Sequence, residues 1–193
     1  MENVMKLYHV STIPDLKILE PHVSTHGKSY VYATLNLYFS LFFGGKESCG
    51  DFDGIYGLRL DKNRPYFYEA YEGALKRRFD GAVCYIYEVD PSTFMSGKTS
   101  FKGEVVSEKP VKILNCKKVE NLYDFLLKLN KEGKIELHFF EDTEEYRKMI
   151  DDHVTDRIVR FGILNFKDSG LYKFCENHFP SIVRRLEAEI AKP

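Results

Sequence analysis

The chain has 193 residues, a formal net charge of −1, 44% hydrophobic and 15% aromatic residues. That size suits one domain with an extension and enough apolar content for a core, while the near-neutral charge gives no electrostatic case for nucleic acid or an anionic membrane as partner. Four widely spaced cysteines (Cys49, Cys84, Cys116, Cys175) without a Cys-x-x-Cys pair read as free thiols in a reducing, cytoplasmic setting rather than as disulfides or a zinc site.

The opening Met1-Glu2-Asn3-Val4-Met5-Lys6 lacks the charged-then-apolar form of a signal peptide. Val4 to Val10 reads as a strand carrying Tyr8-His9 near its end. Ser11 to Asp15 is a turn or a short capped helix start. Ile18-Leu19-Glu20-Pro21 is extended, because Pro21 disfavours helix in Glu20. His22 to Lys28 reads as a polar loop. Gly27-Lys28-Ser29 has the ending of a phosphate loop, but that motif needs glycine where His22 stands. His22 and His26 are four apart on a loop and fall short of the four ligands of a closed zinc site, so no metal is expected.

Ser29 to Thr34 is the second strand. Thr34 is expected to cap a helix over Leu35 to Phe43, with Leu37, Tyr38, Leu41 and Phe42 as its apolar stripe. Asn36, Ser40 and Phe43 fall on another face of it. The same apolar run, Tyr30 to Phe43, is broken by Thr34, Asn36 and Ser40 and is not read as a membrane span. Gly44 to Asp51 is a loop by composition. Tyr56 to Leu60 is a strand. Pro65-Tyr66-Phe67-Tyr68 favours strand, and Ala74 to Phe79 favours a helical turn. Ala82 to Val89 is apolar on both alternating faces, the mark of a central strand. Phe101 to Val106 and Val111 to Cys116 read as a closing pair of strands joined around Ser107 to Pro110.

From Lys117 the pattern turns helical, through Val119, Leu122, Phe125, Leu126 and Leu129. Ile135 to Phe140 is a short strand or a link. Asp142 and Glu145 suggest a capping box for a helix running to Phe161. A last helical stretch runs from Gly170 to Ile190 with an interruption near Pro180. The expected division is an α+β domain over residues 1–116 and a helical extension over 117–193 packed on it, with a small separate helical subdomain as the other arrangement open to those helices.

Tyr8-His9, then Tyr32-Ala33-Thr34, then Ser40 eight residues beyond Tyr32, then Glu104-Val105-Val106-Ser107 resembles the ADP-ribosyltransferase fold of the diphtheria-like toxins and poly-ADP-ribose polymerases. The resemblance implies an α+β fold with a split, strongly bent, mainly antiparallel β-sheet. It implies NAD as substrate. His9 would bond the nicotinamide-side ribose, Tyr32 would stack on the nicotinamide, Ser40 would bond the carboxamide and Glu104 would be the catalytic carboxylate. Tyr30, two residues before Tyr32 on the same strand face, is an alternative stacking residue or core. Phe43 joins the cofactor-binding set as a companion of Ser40 on its helix face. Ser40 bonding its own backbone is the other reading of that residue.

These residue types suit the chemistry. Breaking the nicotinamide–ribose bond passes through an oxocarbenium-like transition state, as in glycoside hydrolysis. An aromatic face holds the leaving ring, an imidazole fixes ribose hydroxyls, and a carboxylate meets the developing positive charge. The Glu-x-Glu of arginine-directed transferases is absent at Glu104-Val105-Val106, and no arginine-rich set like that of the RNA 2′-phosphotransferases is present. The acceptor, protein or small molecule, stays unnamed. A non-catalytic binding or interaction module that retains the fold is the alternative. An unrelated α+β protein would follow if His9 and Tyr32 lay far apart.

Overall fold

The computed structural model describes residues 5–23, 28–46, 52–59, 61–99, 101 and 103–191. Of the expected features, His26, Cys49 and residues 47–51 lie outside them. The protein is of the α+β class, with a larger antiparallel sheet, a second small sheet and a C-terminal helical region.

The larger sheet has eight strands: β1 (Leu7–Ser11), β2 (Ile18–Leu19), β3 (His22–Val23), β4 (Ser29–Thr34), β7 (Cys84–Val89), β8 (Met95–Ser96), β9 (Glu104–Ser107) and β10 (Val111–Val119). Their order is β2-β10-β7-β1-β4-β9-β8, with β3 also on β4, and every pairing is antiparallel. β7 is central, between β1 and β10, as its two-sided apolar pattern requires. A second sheet orders β11 (Glu136–His138), β6 (Arg64–Glu69) and β5 (Gly54–Arg59).

The chain folds into two compact units, one of residues 1–46, 56–66 and 79–137, the other of 47–55, 67–78 and 138–193. The boundary expected after residue 116 falls inside β10, which continues to Val119.

In the first unit, Leu7, Val31, Ala33, Val89, Val105 and Val111 bury one face of the sheet. After β4 the chain makes a short helix α1 (Leu37–Ser40), which tightens into a 3₁₀ turn over Leu41–Phe43. The expected cap is displaced by two residues. Thr34 ends β4, and its Oγ1 donates to Asn36 O at 2.9 Å. Asn36 caps instead, its Oδ1 accepting from Phe39 N at 2.9 Å. Its Nδ2 also donates to Asn63 O at 2.8 Å, and that tether fixes which residue starts the helix. Gly44 follows because a Cβ there would lie 2.6 Å from Val10 Cγ1. Helix α3 (Leu122–Lys131) is capped by Asn121 and buries Leu122, Leu126 and Leu129.

Two further expectations are corrected in this unit. β9 pairs with β4 and β8, whereas β10 pairs with β7 and β2, so the closing pair are not neighbours. The short turn between them looks like a hairpin in sequence, but β9 pairs along its whole length with β4, and β10 pairs with the central strand β7. The start of the expected polar loop at His22 forms β3, paired as His22↔Tyr30 and Val23↔Ser29.

The second unit is helical around its own core. It holds α2 (Ala74–Phe79, Ala74 to Arg78 belonging here), α4 (Glu144–Arg160), α5 (Gly170–His178) and α6 (Pro180–Ile190). Tyr146, Ile150, Val154 and Ile158 recur every four residues and form the buried stripe of α4 against Tyr172, Phe174, Ile182 and Val183. Thr143, not Asp142, caps α4, accepting from Tyr146 N at 3.3 Å. Asp142 instead pairs with Arg147 Nε at 2.6 Å. Pro180 opens α6 in its first turn, where its missing N–H would have no helical partner.

Candidate functional site

The edge of β4 opposite β9 is shared by two strands. β1 occupies it at one end through Tyr8↔Thr34, and β3 occupies it at the other through His22↔Tyr30. β1 leaves β4 after that single pair, so the sheet forks between them. His9, the next residue of β1, bridges the fork: its Nδ1 lies 2.8 Å from Tyr32 O. A carbonyl only accepts, so Nδ1 carries the hydrogen and Nε2 keeps the lone pair. Burial pushes the pKa of His9 below its usual value; the bond to Tyr32 opposes this and the nearby His22 adds to it. The ring is therefore neutral at pH 7.

Glu104 lies on the strand beyond. β4 and β9 pair as Thr34↔Glu104 and Tyr32↔Val106. Directly paired residues and those two apart share a face, so Tyr32 and Glu104 are diagonal neighbours on one side of the sheet. Such neighbours have Cα atoms roughly 7–8 Å apart. Tyr8 pairs with Thr34 on one side and Glu88 on the other, and so stands on that same face. Alternation assigns His9 to the opposite face with Leu7, and only the fork lets its ring reach the backbone of Tyr32. His9, Tyr32 and Glu104 thus occupy three consecutive strands, but His9 meets the other two across a seam.

The remaining expected residues are less exposed to a ligand or differently engaged. Tyr30 is 3% exposed and packs edge-on to Tyr32, with ring centroids 5.9 Å apart. It is core, whereas Tyr32 is half-buried. Ser40 is 1% exposed and its Oγ donates to Leu37 O at 2.6 Å, the bond to its own helix backbone that is open to any helix serine. Phe43 is 45% exposed and packs edge-on to Phe39 and Tyr56, at 5.3 and 6.1 Å. Glu108 is exposed in the turn after β9.

Two residues at this site escape a reading of the sequence. His22 reaches the fork only because β3 forms, and two residues are too few to show a strand period. Tyr8 joins the face of Tyr32 and Glu104 through register, which no local pattern reports.

A cleft of about 400 Å³ opens between the sheet and α3. Tyr8, Ile86, Glu88, Asn115 and Lys117 line its sheet side, and Phe125, Lys128, Leu129 and Glu132 its helix side. A shallower groove of about 370 Å³ adjoins it, sharing Lys117, Phe125 and Lys128. Neither is lined by His9, Tyr32 or Glu104; Tyr8 is the link between the cleft and their row. Among the described residues no group of three His, Cys, Asp or Glu side chains is placed to hold a metal ion, and no helix is long and apolar enough to cross a membrane. Comparison with known proteins finds no family model, no curated protein and no solved structure that matches the chain.

Proposed function

We propose that this chain binds NAD and acts as a mono-ADP-ribosyltransferase, cleaving the nicotinamide–ribose bond and passing ADP-ribose to a protein or small-molecule acceptor in the cytoplasm. The observation that supports it most is topological. Residues 9, 32 and 104, singled out by type and order, lie on β1, β4 and β9, which are consecutive in the sheet. An unrelated α+β protein would follow if His9 and Tyr32 lay far apart; His9 Nδ1 lies 2.8 Å from the backbone oxygen of Tyr32, which supports the proposed reading without excluding the other.

In this reading the half-buried ring of Tyr32 offers a face to nicotinamide. His9, held as the Nδ1–H tautomer by Tyr32 O, presents Nε2 as acceptor to a ribose hydroxyl. The C1′–N bond breaks and its electron pair leaves with nicotinamide, which departs neutral. The carboxylate of Glu104 stabilises the positive charge that develops on the ribose. A lone pair of the acceptor then forms the new bond to C1′, and the acceptor proton passes to water. Ser40 has no part in this scheme, because its hydroxyl already donates to Leu37 O.

The second reading, a binding module without catalysis, draws on the placement of the two cavities away from His9, Tyr32 and Glu104. Thermal melts with NAD separate the cases. NAD at millimolar concentration should raise the melting temperature. Tyr32→Ala should remove most of that rise, since an aromatic contact contributes roughly 0.5–1.5 kcal/mol beyond area burial. No shift for the wild type rejects NAD binding. A shift without nicotinamide release, with water or any acceptor, leaves the non-catalytic module.

A further inference from the structure

The cleft between the sheet and α3, about 400 Å³, is lined by residues of the first unit alone and has the size of a small-molecule site. Its sheet side carries the buried side chain of Ile86, on the central strand β7. Tyr38 of α1 and Phe125 of α3, both half-buried, add an aromatic face each. Apolar walls with aromatic faces suit a planar aromatic body.

The carboxylates that line the cleft are both engaged. The two carboxylate oxygens of Glu88 each lie 3.1 Å from Lys6 Nζ. Glu132 has Oε2 2.7 Å from Lys134 Nζ and Oε1 4.0 Å from Lys128 Nζ. Lys128 and Lys134 are thereby matched as well. Lys117 is the exception among the cleft's lysines: its ammonium lies over the Phe125 ring at 5.4 Å, and among the described residues no carboxylate pairs with it.

Asn115 stands on the same face of β10, two residues and roughly 7 Å from Lys117. Its Oδ1 accepts from Cys116 N at 2.9 Å, which fixes the amide. The remaining polar atom of that side chain is Nδ2, which only donates, and it makes no hydrogen bond among the described residues. One unmatched cation and one oriented donor thus lie side by side at the edge of an aromatic cleft.

We propose that the cleft between the sheet and α3 binds a small aromatic monocarboxylate, with its ring among Ile86, Tyr38 and Phe125 and its carboxylate between Lys117 Nζ and Asn115 Nδ2. A cationic ligand finds both lining carboxylates already held by lysines. A second negative charge on the ligand would meet Glu88 and Glu132 in the same cleft. The inference is independent of the NAD reading, because His9, Tyr32 and Glu104 do not line the cleft.

The test titrates naphthalene-2-carboxylate into the full chain, followed by the probe's fluorescence and by amide NMR shifts. Binding should saturate, with the shifts centred on Asn115, Lys117 and Phe125. Naphthalene-2-carboxamide, of the same shape but uncharged, should bind about tenfold or more weakly, the worth of one hydrogen bond to a charged group. Naphthylmethylamine should not bind, and cyclohexanecarboxylate should bind more weakly than the aromatic acid. Lys117→Met keeps an apolar stem beside Phe125 and removes the ammonium, so it should cost the acid about tenfold. Lys128→Met removes a lysine that is already matched and should change affinity by less than about twofold. Melting curves check that both variants fold, and the comparison of acid, amide and amine needs neither. No saturable binding of the acid at millimolar concentration overturns the proposal. So does equal binding of acid and amide, an undiminished affinity in folded Lys117→Met, or a set of shifts that lies away from the cleft.

Discussion

Two glutamates, one in each unit, sit in contrasting surroundings. Glu69, in the helical unit, is 3% exposed. Its Oε1 accepts from Leu75 N at 2.8 Å, its Oε2 accepts from Phe140 N at 2.9 Å, and its backbone oxygen accepts from Tyr146 OH at 2.9 Å. Both carboxylate oxygens serve buried main-chain donors. Glu104, in the sheet unit, is half-buried at the start of β9 and stands on the face of Tyr32. A carboxylate saturated by the backbone holds a fold together. Glu104 stands at a strand end, one strand away from the fork, and the proposed function gives it its role there.

The same pair of substitutions at the two sites should break or sharpen that contrast. Glu69→Ala leaves two buried amides without acceptors and should lower unfolding free energy by about 3 kcal/mol or more, read by denaturant titration. Glu104→Gln keeps the side chain's shape and one carbonyl acceptor and should cost less than Glu69→Ala in the same titration. It should instead cut nicotinamide release by on the order of 10²–10³, while NAD still shifts the melting temperature. Glu108→Gln is the exposed control and should do neither. A Glu104→Gln variant that unfolds while turning over normally would reverse the assignment.

A third carboxylate sits between these extremes. Glu136 in the sheet unit accepts from Arg59 Nε at 2.7 Å and from Arg64. Burial opposes its ionisation, but the two guanidinium bonds outweigh this and hold its carboxyl down at about 2. The depressed value means its contribution is present above the unfolded pKa, near 4.5, and is lost as pH falls toward 2. Allowing for solvent screening, acid titration of the wild type should lose about 2 kcal/mol in that window that Glu136→Gln does not. An identical acid profile for both would remove Glu136 from the structural class.

The smallest expected effect is at His9. Its pKa is lowered in the fold, so the neutral ring is favoured above the usual value near 6.5 and its contribution is lost as pH drops below it. Protonation also fills Nε2, the acceptor that the proposed function assigns to a ribose hydroxyl. The NAD-induced melting shift should therefore shrink as pH falls below the ordinary histidine value, and His9→Gln should flatten that dependence. A pH-independent shift in the wild type would show that NAD does not meet this ring.

Much of the architecture is legible in the sequence. Ser29 to Thr34, the two-sided Ala82 to Val89 run and the four-residue recurrence from Tyr146 to Ile158 each specify their element locally, because side-chain alternation or helical spacing decides which face is buried. Caps are legible only to within a residue or two. Thr34 and Asn36 are both good N-caps, and the tether from Asn36 to Asn63, distant in sequence, chooses between them. The candidate site is legible as a set of residue types, but residue type does not report burial. Tyr30 and Ser40 fit the pattern as well as Tyr32, yet one is core and the other is bonded to its own turn.

The sequence alone determined the α+β class and the placement of most strands and helices, and it carries the three residue types on which the proposed function rests. Those features follow from local periodicity and from the chemistry of single side chains. The tertiary structure alone decided that β9 and β10 part company, that β10 runs on past its pairing with β2, and that a fork beside β4 brings His9 to Tyr32. Each of these is a pairing between segments far apart in the chain. It is set by which apolar faces can be buried together, a quantity that no window along the sequence contains.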